Sequence, residues 1–104
     1  MASSREYLNF ILEQLSLLDG VSYRAMMGDY IIYFKGKVIG GIYDDRFLIK
    51  PTKSALSMMP DADMELPYPG GKEMLLVNDP ENKDFLFNLI NKVYDELPAL
   101  KNRL

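Results

Sequence analysis

The stretch PGGK at residues 69–72 comes nearest to a phosphate-binding loop. Such loops cradle phosphate oxygens on backbone N–H groups, with a lysine for charge, and need a glycine upstream, a Ser or Thr behind and a helix to follow. Here the upstream glycine and the Ser or Thr are absent and a strand follows, so the motif reads as a turn. Asp44 and Asp45 could form a carboxylate pair for metal or acid–base work, but adjacent residues in a strand turn point apart, and no third ligand is close in sequence. DPENKD at residues 79–84 has the oxygen content of a calcium loop without its central Gly or terminal Glu, and helix capping explains it.

Two counts narrow the chemistry further. There is no histidine, which removes the commonest general base near neutral pH and the usual zinc or iron ligand, and there is no cysteine, which removes thiolate chemistry and disulfides. An enzyme built on this chain would have to use carboxylates, tyrosine, lysine or arginine, for instance Arg24, Lys50 and Lys72 with a tyrosine. The bases Arg24, Lys35, Lys37, Arg46, Lys50, Lys53 and Lys72 are interleaved with Asp29, Asp44, Asp45 and Glu73, which reads as a solvated rim. The seven methionines, with pairs at Met26-Met27 and Met58-Met59, read as core filler. A net charge of −3 disfavours direct nucleic-acid binding, which rests on Lys and Arg neutralising phosphates. No catalytic residue, cofactor or metal site is assigned.

The elements that must position these residues follow from periodicity. The chain of 104 residues, 48% hydrophobic and 26% charged, is sized and composed as one globular domain over residues 1–104. Ser3 with Glu6 fits a capping box, and Leu8, Ile11, Leu12, Leu15 and Leu18 recur at helical spacing, predicting a helix over residues 4–18 closed by Gly20. Residues 21–27 alternate as a strand with one buried face, and Gly28 then permits a turn or bulge with positive φ. Residues 29–34, 37–43 and 46–50 are three more strands, joined by Lys35-Gly36 and Asp44-Asp45. Two-residue connections make them antiparallel neighbours in a meander.

Thr52 can cap a short helix through Met59. The proline-rich PDADMELPYPGG suits an ordered surface crossing, residues 73–77 form a further strand, and Asp79 with Pro80 opens a last helix that Pro98 stops. The fold class is therefore α+β: a mostly antiparallel sheet of about five strands with two long helices and one short helix. Along residues 29–43 both sheet faces are apolar. One carries Ile31, Tyr33, Val38, Gly40 and Ile42; the other carries Tyr30, Ile32, Phe34, Ile39 and Tyr43. Two helices can cover one of them. The other is closed by the proline-rich crossing or pairs with a partner, most simply a second copy, and the set Tyr30, Ile32, Phe34, Ile39 and Tyr43 is the expected homodimer face.

The pattern R-x-M-M-G-x-Y at residues 24–30, followed by I-Y-x-x-G-K at 32–37, G-x-Y-D-D at 41–45 and L-I-K at 48–50, resembles the N-terminal domain of the TfoX/Sxy family. The resemblance extends over nearly the whole chain, including PYPGGKEMLLV and the final YDELP, where it is similar to the small stand-alone members. It implies an α+β domain, with Arg24, Gly28, Tyr33, Asp45 and Lys50 as signature residues without a catalytic role. Full-length members regulate natural competence genes as co-activators beside the cyclic-AMP receptor protein and carry a C-terminal domain; the expectation for this chain is a stand-alone N-terminal domain without it.

The expected function is a non-enzymatic protein-interaction module, homodimeric, with a transcription-related partner. The alternative is a small-molecule binder or an enzyme, and a deep polar pocket would favour that alternative. No apolar run approaches the roughly 18–20 residues that span a bilayer, and no export signal is visible, so the expected setting is cytoplasmic, without membrane contact.

Overall fold

A computed structural model describes residues 3–98. The elements run α1 (Arg5–Gln14), β1 (Val21–Met26), β2 (Asp29–Phe34), β3 (Lys37–Tyr43), β4 (Arg46–Ile49), α2 (Lys53–Met58), β5 (Met64–Glu65), β6 (Met74–Leu76) and α3 (Lys83–Glu96). The strands form one six-stranded sheet in the order β1-β2-β3-β4-β6-β5, with every neighbouring pair antiparallel. The α+β architecture holds, and β5 adds a sixth strand.

The meander is made by three successive two-residue turns. Both central residues of each have positive φ: Met27 and Gly28 at 52° and 89°, Lys35 and Gly36 at 51° and 85°, Asp44 and Asp45 at 56° and 55°. This is the type I′ geometry whose twist matches that of the flanking strands, and Gly28 supplies its left-handed second position without a Cβ clash.

The helices cover one sheet face. Leu8 and Ile11 of α1 and Leu86, Leu89, Ile90 and Val93 of α3 pack on Ile32, Phe34, Ile39, Ile42, Phe47, Ile49 and Leu75, and α2 adds Ala55. Each large apolar side chain so buried contributes about 1.5–3 kcal/mol. Lys37 finishes α3 from the sheet: its Nζ donates to the carbonyls of Tyr94 (3.1 Å) and Leu97 (3.0 Å) and lies 4.1 Å from the Tyr94 ring centre. A cation is favourable there because the last helical carbonyls lack intrahelical donors.

The expected dimer face is corrected by the register of β2 on β3. Ile32 pairs with Gly40 but Tyr33 pairs with Val38, so Ile39 is the extra residue of a bulge. Tyr30, Ile32, Phe34 and Ile39 consequently face the helices, with Ile32 and Ile39 fully buried and Phe34 2% exposed. Ile32, Phe34 and Ile39 belong to the chain's own core, against which half-buried Tyr30 packs, so this set is not an open face for a partner. The bulge also exchanges the end of β3, so that Ile42 joins the core and Tyr43 turns to the opposite face. That face is closed over β3 and β4 by the crossing between α2 and β6: Tyr43 is 8% exposed, Leu48 is fully buried, and the Tyr68 ring sits 5.9 Å from that of Tyr43.

Local boundaries also differ from expectation. Ser4, not Ser3, caps α1, its hydroxyl accepting from the Tyr7 N–H at 3.0 Å, and the helix ends at Gln14, although Leu15 and Leu18 still bury their side chains. Asn82, not Asp79, caps α3, accepting from the Phe85 N–H at 3.0 Å, because residues 79–82 close a turn of their own. Thr52 caps α2 as expected, accepting from the Ala55 N–H. β1 is not half-buried: it is an edge strand exposed along five of its six residues. Met27 is 96% exposed and Met26 flanks it at the surface, so this pair does not fill the core.

Candidate functional sites at the two ends of the sheet

The signature residues do not converge on one site. Gly28 and Asp45 lie together where the N-terminal segment crosses two hairpin turns. Ser3 donates its N–H to the Gly28 carbonyl (2.9 Å) and its hydroxyl to Asp29 Oδ1 (2.9 Å), and the same hydroxyl accepts from the Asp45 N–H (3.1 Å). Asp45 Oδ1 accepts the Ser4 N–H at 2.8 Å, satisfying a donor at the start of α1. This cluster is a structural clasp. Its centre, Ser3, carried no signal in the sequence beyond its candidacy as a cap. Among the described residues no group of three acidic side chains is placed to hold a metal ion.

Arg24 and Tyr33 occupy the sheet face away from the helices, Arg24 exposed on β1 and Tyr33 half-buried on β2. Among the described residues β1 has no strand on its outer side. The phase of its hydrogen bonding is set by the Lys35 N–H, which donates to the Gly20 carbonyl at 2.9 Å. In an antiparallel pair such bonded positions recur every second residue, so Ser22, Arg24 and Met26 bond β2 while Val21, Tyr23 and Ala25 aim their N–H and C=O groups outward. On the helix side of this edge runs a groove lined by Leu12, Leu15, Leu18, Val21 and Tyr23, with a volume of about 600 Å³. The guanidinium of Arg5 stands 5.6 Å from the Tyr23 ring centre.

At the other end, Lys50 and Lys72 line one cleft of about 700 Å³ together with Tyr43, Tyr68, Gly70 and Glu73. Its wall is the turn YPGG at residues 68–71. The Gly71 N–H donates to the Tyr68 carbonyl at 3.0 Å, Pro69 takes the second position, and Gly70 takes the third with φ at 86°, the requirements of a type II turn. PGGK is thus a turn, as the sequence indicated. What the sequence did not indicate is that this turn places Lys72 and Tyr68 in the lining of the same cleft as Lys50, which follows β4.

Burial, followed by the nearby Tyr68, Asp29 and Tyr33, pushes the Tyr43 hydroxyl above its ordinary value, so it stays neutral through the physiological range. Of the basic residues expected on a solvated rim, Lys37 closes α3 and Arg46 ties the crossing to the sheet. Arg46 reaches Glu65 Oε1 at 2.6 Å and the Leu66 and Tyr43 carbonyls at 3.1 and 3.0 Å. Among the described residues, neither the Lys50 nor the Lys72 ammonium has a hydrogen-bond or ion-pair partner.

No family model matches the chain. It is similar to the "Uncharacterized 12.7 kDa protein in trpE 5'region" of Spirochaeta aurantia, with 31% identity over 104 residues that cover 99% of this chain and 90% of that protein. The chain belongs to the family of that protein. No helix among the described residues is long and apolar enough to cross a membrane.

Proposed function

We propose that this chain is a non-enzymatic protein-interaction module of the TfoX N-terminal type that acts as a homodimer through β1. The observation that carries the reading is the uncovered edge, six residues long, with three residues aiming backbone groups at solvent. Such an edge is a template for strand addition.

The edge is also complementary to itself. A two-fold axis through Tyr23 sets Val21 against Ala25 of the second copy and Tyr23 against its own equivalent, joining outward-facing residues only, and it places Arg24 opposite Ser22. An axis one residue along would oppose Arg24 to Arg24, which like-charge repulsion disfavours. The groove beside Tyr23, lined by Leu12, Leu15 and Leu18 together with Ser16, Asp19 and Ser22, adds area that strand pairing alone would lack.

The transcription-related role and the TfoX/Sxy membership rest on the order and spacing of the motifs from Arg24 to Lys50. The cytoplasmic setting rests on the lack of a visible export signal. Ala25→Pro tests the reading, because it removes an N–H that β2 does not use and edge strands tolerate proline at such positions. In light scattering at about 100 μM, well above the Kd of a μM interface, the wild type should have twice the 11.9 kDa chain mass and the variant the single mass. A monomeric wild type refutes the dimer. A second reading, small-molecule binding, is favoured by the cleft at the opposite end.

A further inference from the structure

The Lys50–Lys72 cleft has three features that together point to a ligand. It is concave and falls in the size range of small-molecule sites, which is about 300–1,000 Å³. Its charge runs against that of the molecule: two lysines and one glutamate line it, whereas the whole chain carries −3. Both ammonium groups lack internal partners among the described residues, although twelve basic residues share the chain with fifteen acidic ones. Cations placed without partners in a concavity are available to an anion from solution.

The geometry also restricts the kind of anion. The Gly71 N–H is spent on the Tyr68 carbonyl, so the glycine turn does not act as an amide cradle, and the lysine side chains must supply the charge. Two ammonium point charges suit a group carrying close to two negative charges, which a phosphate monoester has at neutral pH and a single carboxylate has not. Beside them the walls are flat and apolar: the rings of Tyr43 and Tyr68, inclined at 59°, with Pro67 and Met74. Tyr68 is 49% exposed, which leaves much of its surface open. At Gly70 a Cβ would meet nothing within 4 Å, so the rim stays open above the turn.

We propose that this cleft binds a small phosphate monoester with a flat ring, the phosphate held by Lys50 and Lys72 and the ring lying against Tyr68. Tyr43, whose hydroxyl is neutral, also lines the cleft. The proposal is independent of β1 pairing, since the two sites occupy opposite ends of the sheet and share no residue.

Titration of the full chain with phenyl phosphate, followed by amide NMR, tests it, with inorganic phosphate and benzoate as comparison ligands. Saturable shifts should centre on residues 43, 50 and 68–73, with phenyl phosphate bound at least about 10-fold more tightly than either comparison ligand. Each of Lys72→Ala and Tyr68→Ala, both at exposed positions that leave the core intact, should weaken binding at least about 5-fold. Absence of saturation by 10 mM phenyl phosphate, roughly the upper limit for even a weak specific site, overturns the proposal. So does benzoate binding as tightly as phenyl phosphate, which removes the need for a dianion, or inorganic phosphate binding as tightly, which removes the ring. Shifts that map to the Arg5–Tyr23 region instead would also overturn it.

Discussion

At one end of the sheet β5 contributes two residues, flanked by Pro60, Pro67 and Pro69, and Arg46 pins the adjoining crossing with three hydrogen bonds, to Tyr43, Glu65 and Leu66. At the other end β1 contributes six residues, carries exposed Tyr23 and Met26 with exposed Met27 just beyond it, and has no strand paired on its outer side among the described residues. Short edge strands and prolines are the ordinary means of blocking further strand addition. The same chain uses both at one edge and neither at the other. The closed end folds its cover into a cleft, whereas the open end leaves backbone donors and acceptors of β1 unpaired by a strand among the described residues, which is the contrast on which the two proposals above rest.

The comparison breaks most severely when the strands shared by both ends are forced apart. A Cβ on Gly40 would collide with the Leu48 carbonyl oxygen and lie 3.0 Å from the Ile49 Cα, both backbone atoms of β4 that cannot rotate away. Gly40→Ala should therefore lose about 3 kcal/mol or more, at the upper end for overpacking, read as a large fall in the urea midpoint. Removing the pin at the closed end comes next. Arg46→Ala should lose about 2 kcal/mol, the scale of a partly buried charged hydrogen-bonding group, and should raise amide exchange across residues 64–71 while leaving β1 unaffected.

At the open end Gly28→Val should lose about 1–3 kcal/mol, because a β-branched residue is strained at φ 89°. Denaturant melts measure it, and an unchanged midpoint would remove the strain argument. The smallest effect concerns neither end and serves as a control. Glu96 has its carboxyl held below the ordinary range, chiefly by the Ser54 hydroxyl at 2.5 Å and then by the Ser54 N–H at 2.8 Å. A carboxylate whose folded value is depressed stabilises the fold above its unfolded value, and that contribution disappears as pH falls through the folded value. Its NMR titration should move up toward the ordinary value in Ser54→Ala, with little change in the melting point at neutral pH.

Much of this fold is legible in the sequence, and the limits have physical causes. The turns at Lys35-Gly36 and Asp44-Asp45 are readable because two-residue connections admit few geometries, whereas Gly28 admits both a turn and a bulge and the alternation carries Met27 into the strand; α1 and α3 are readable from their apolar stripes. The bulge at Ile39 is not, since β2 and β3 are apolar on both faces and period-two alternation then gives no register. That ambiguity is why Tyr30, Ile32, Phe34 and Ile39 suggested a partner surface while they form the core. β5 left no periodic trace, as two residues between prolines cannot. The exposure of β1 was hidden because its position at the edge is a fact of sheet order, which its own residues do not encode. Lys50 and Lys72 are singled out with Arg24 and a tyrosine by elimination, as the side chains left for chemistry, and nothing in the sequence separates these two from Arg24. Their sharing of one cleft depends on the path of residues 60–71, which no local propensity specifies.

The open edge itself is tested most directly by amide hydrogen exchange of the wild type at two concentrations. Ser22 and Arg24 donate to β2 in any state and should be protected at both. Tyr23 and Ala25 should be protected at about 100 μM, well above the Kd of a μM interface, and should exchange freely after dilution to the nanomolar range. Tyr23 and Ala25 amides that exchange freely at both concentrations would contradict pairing through β1.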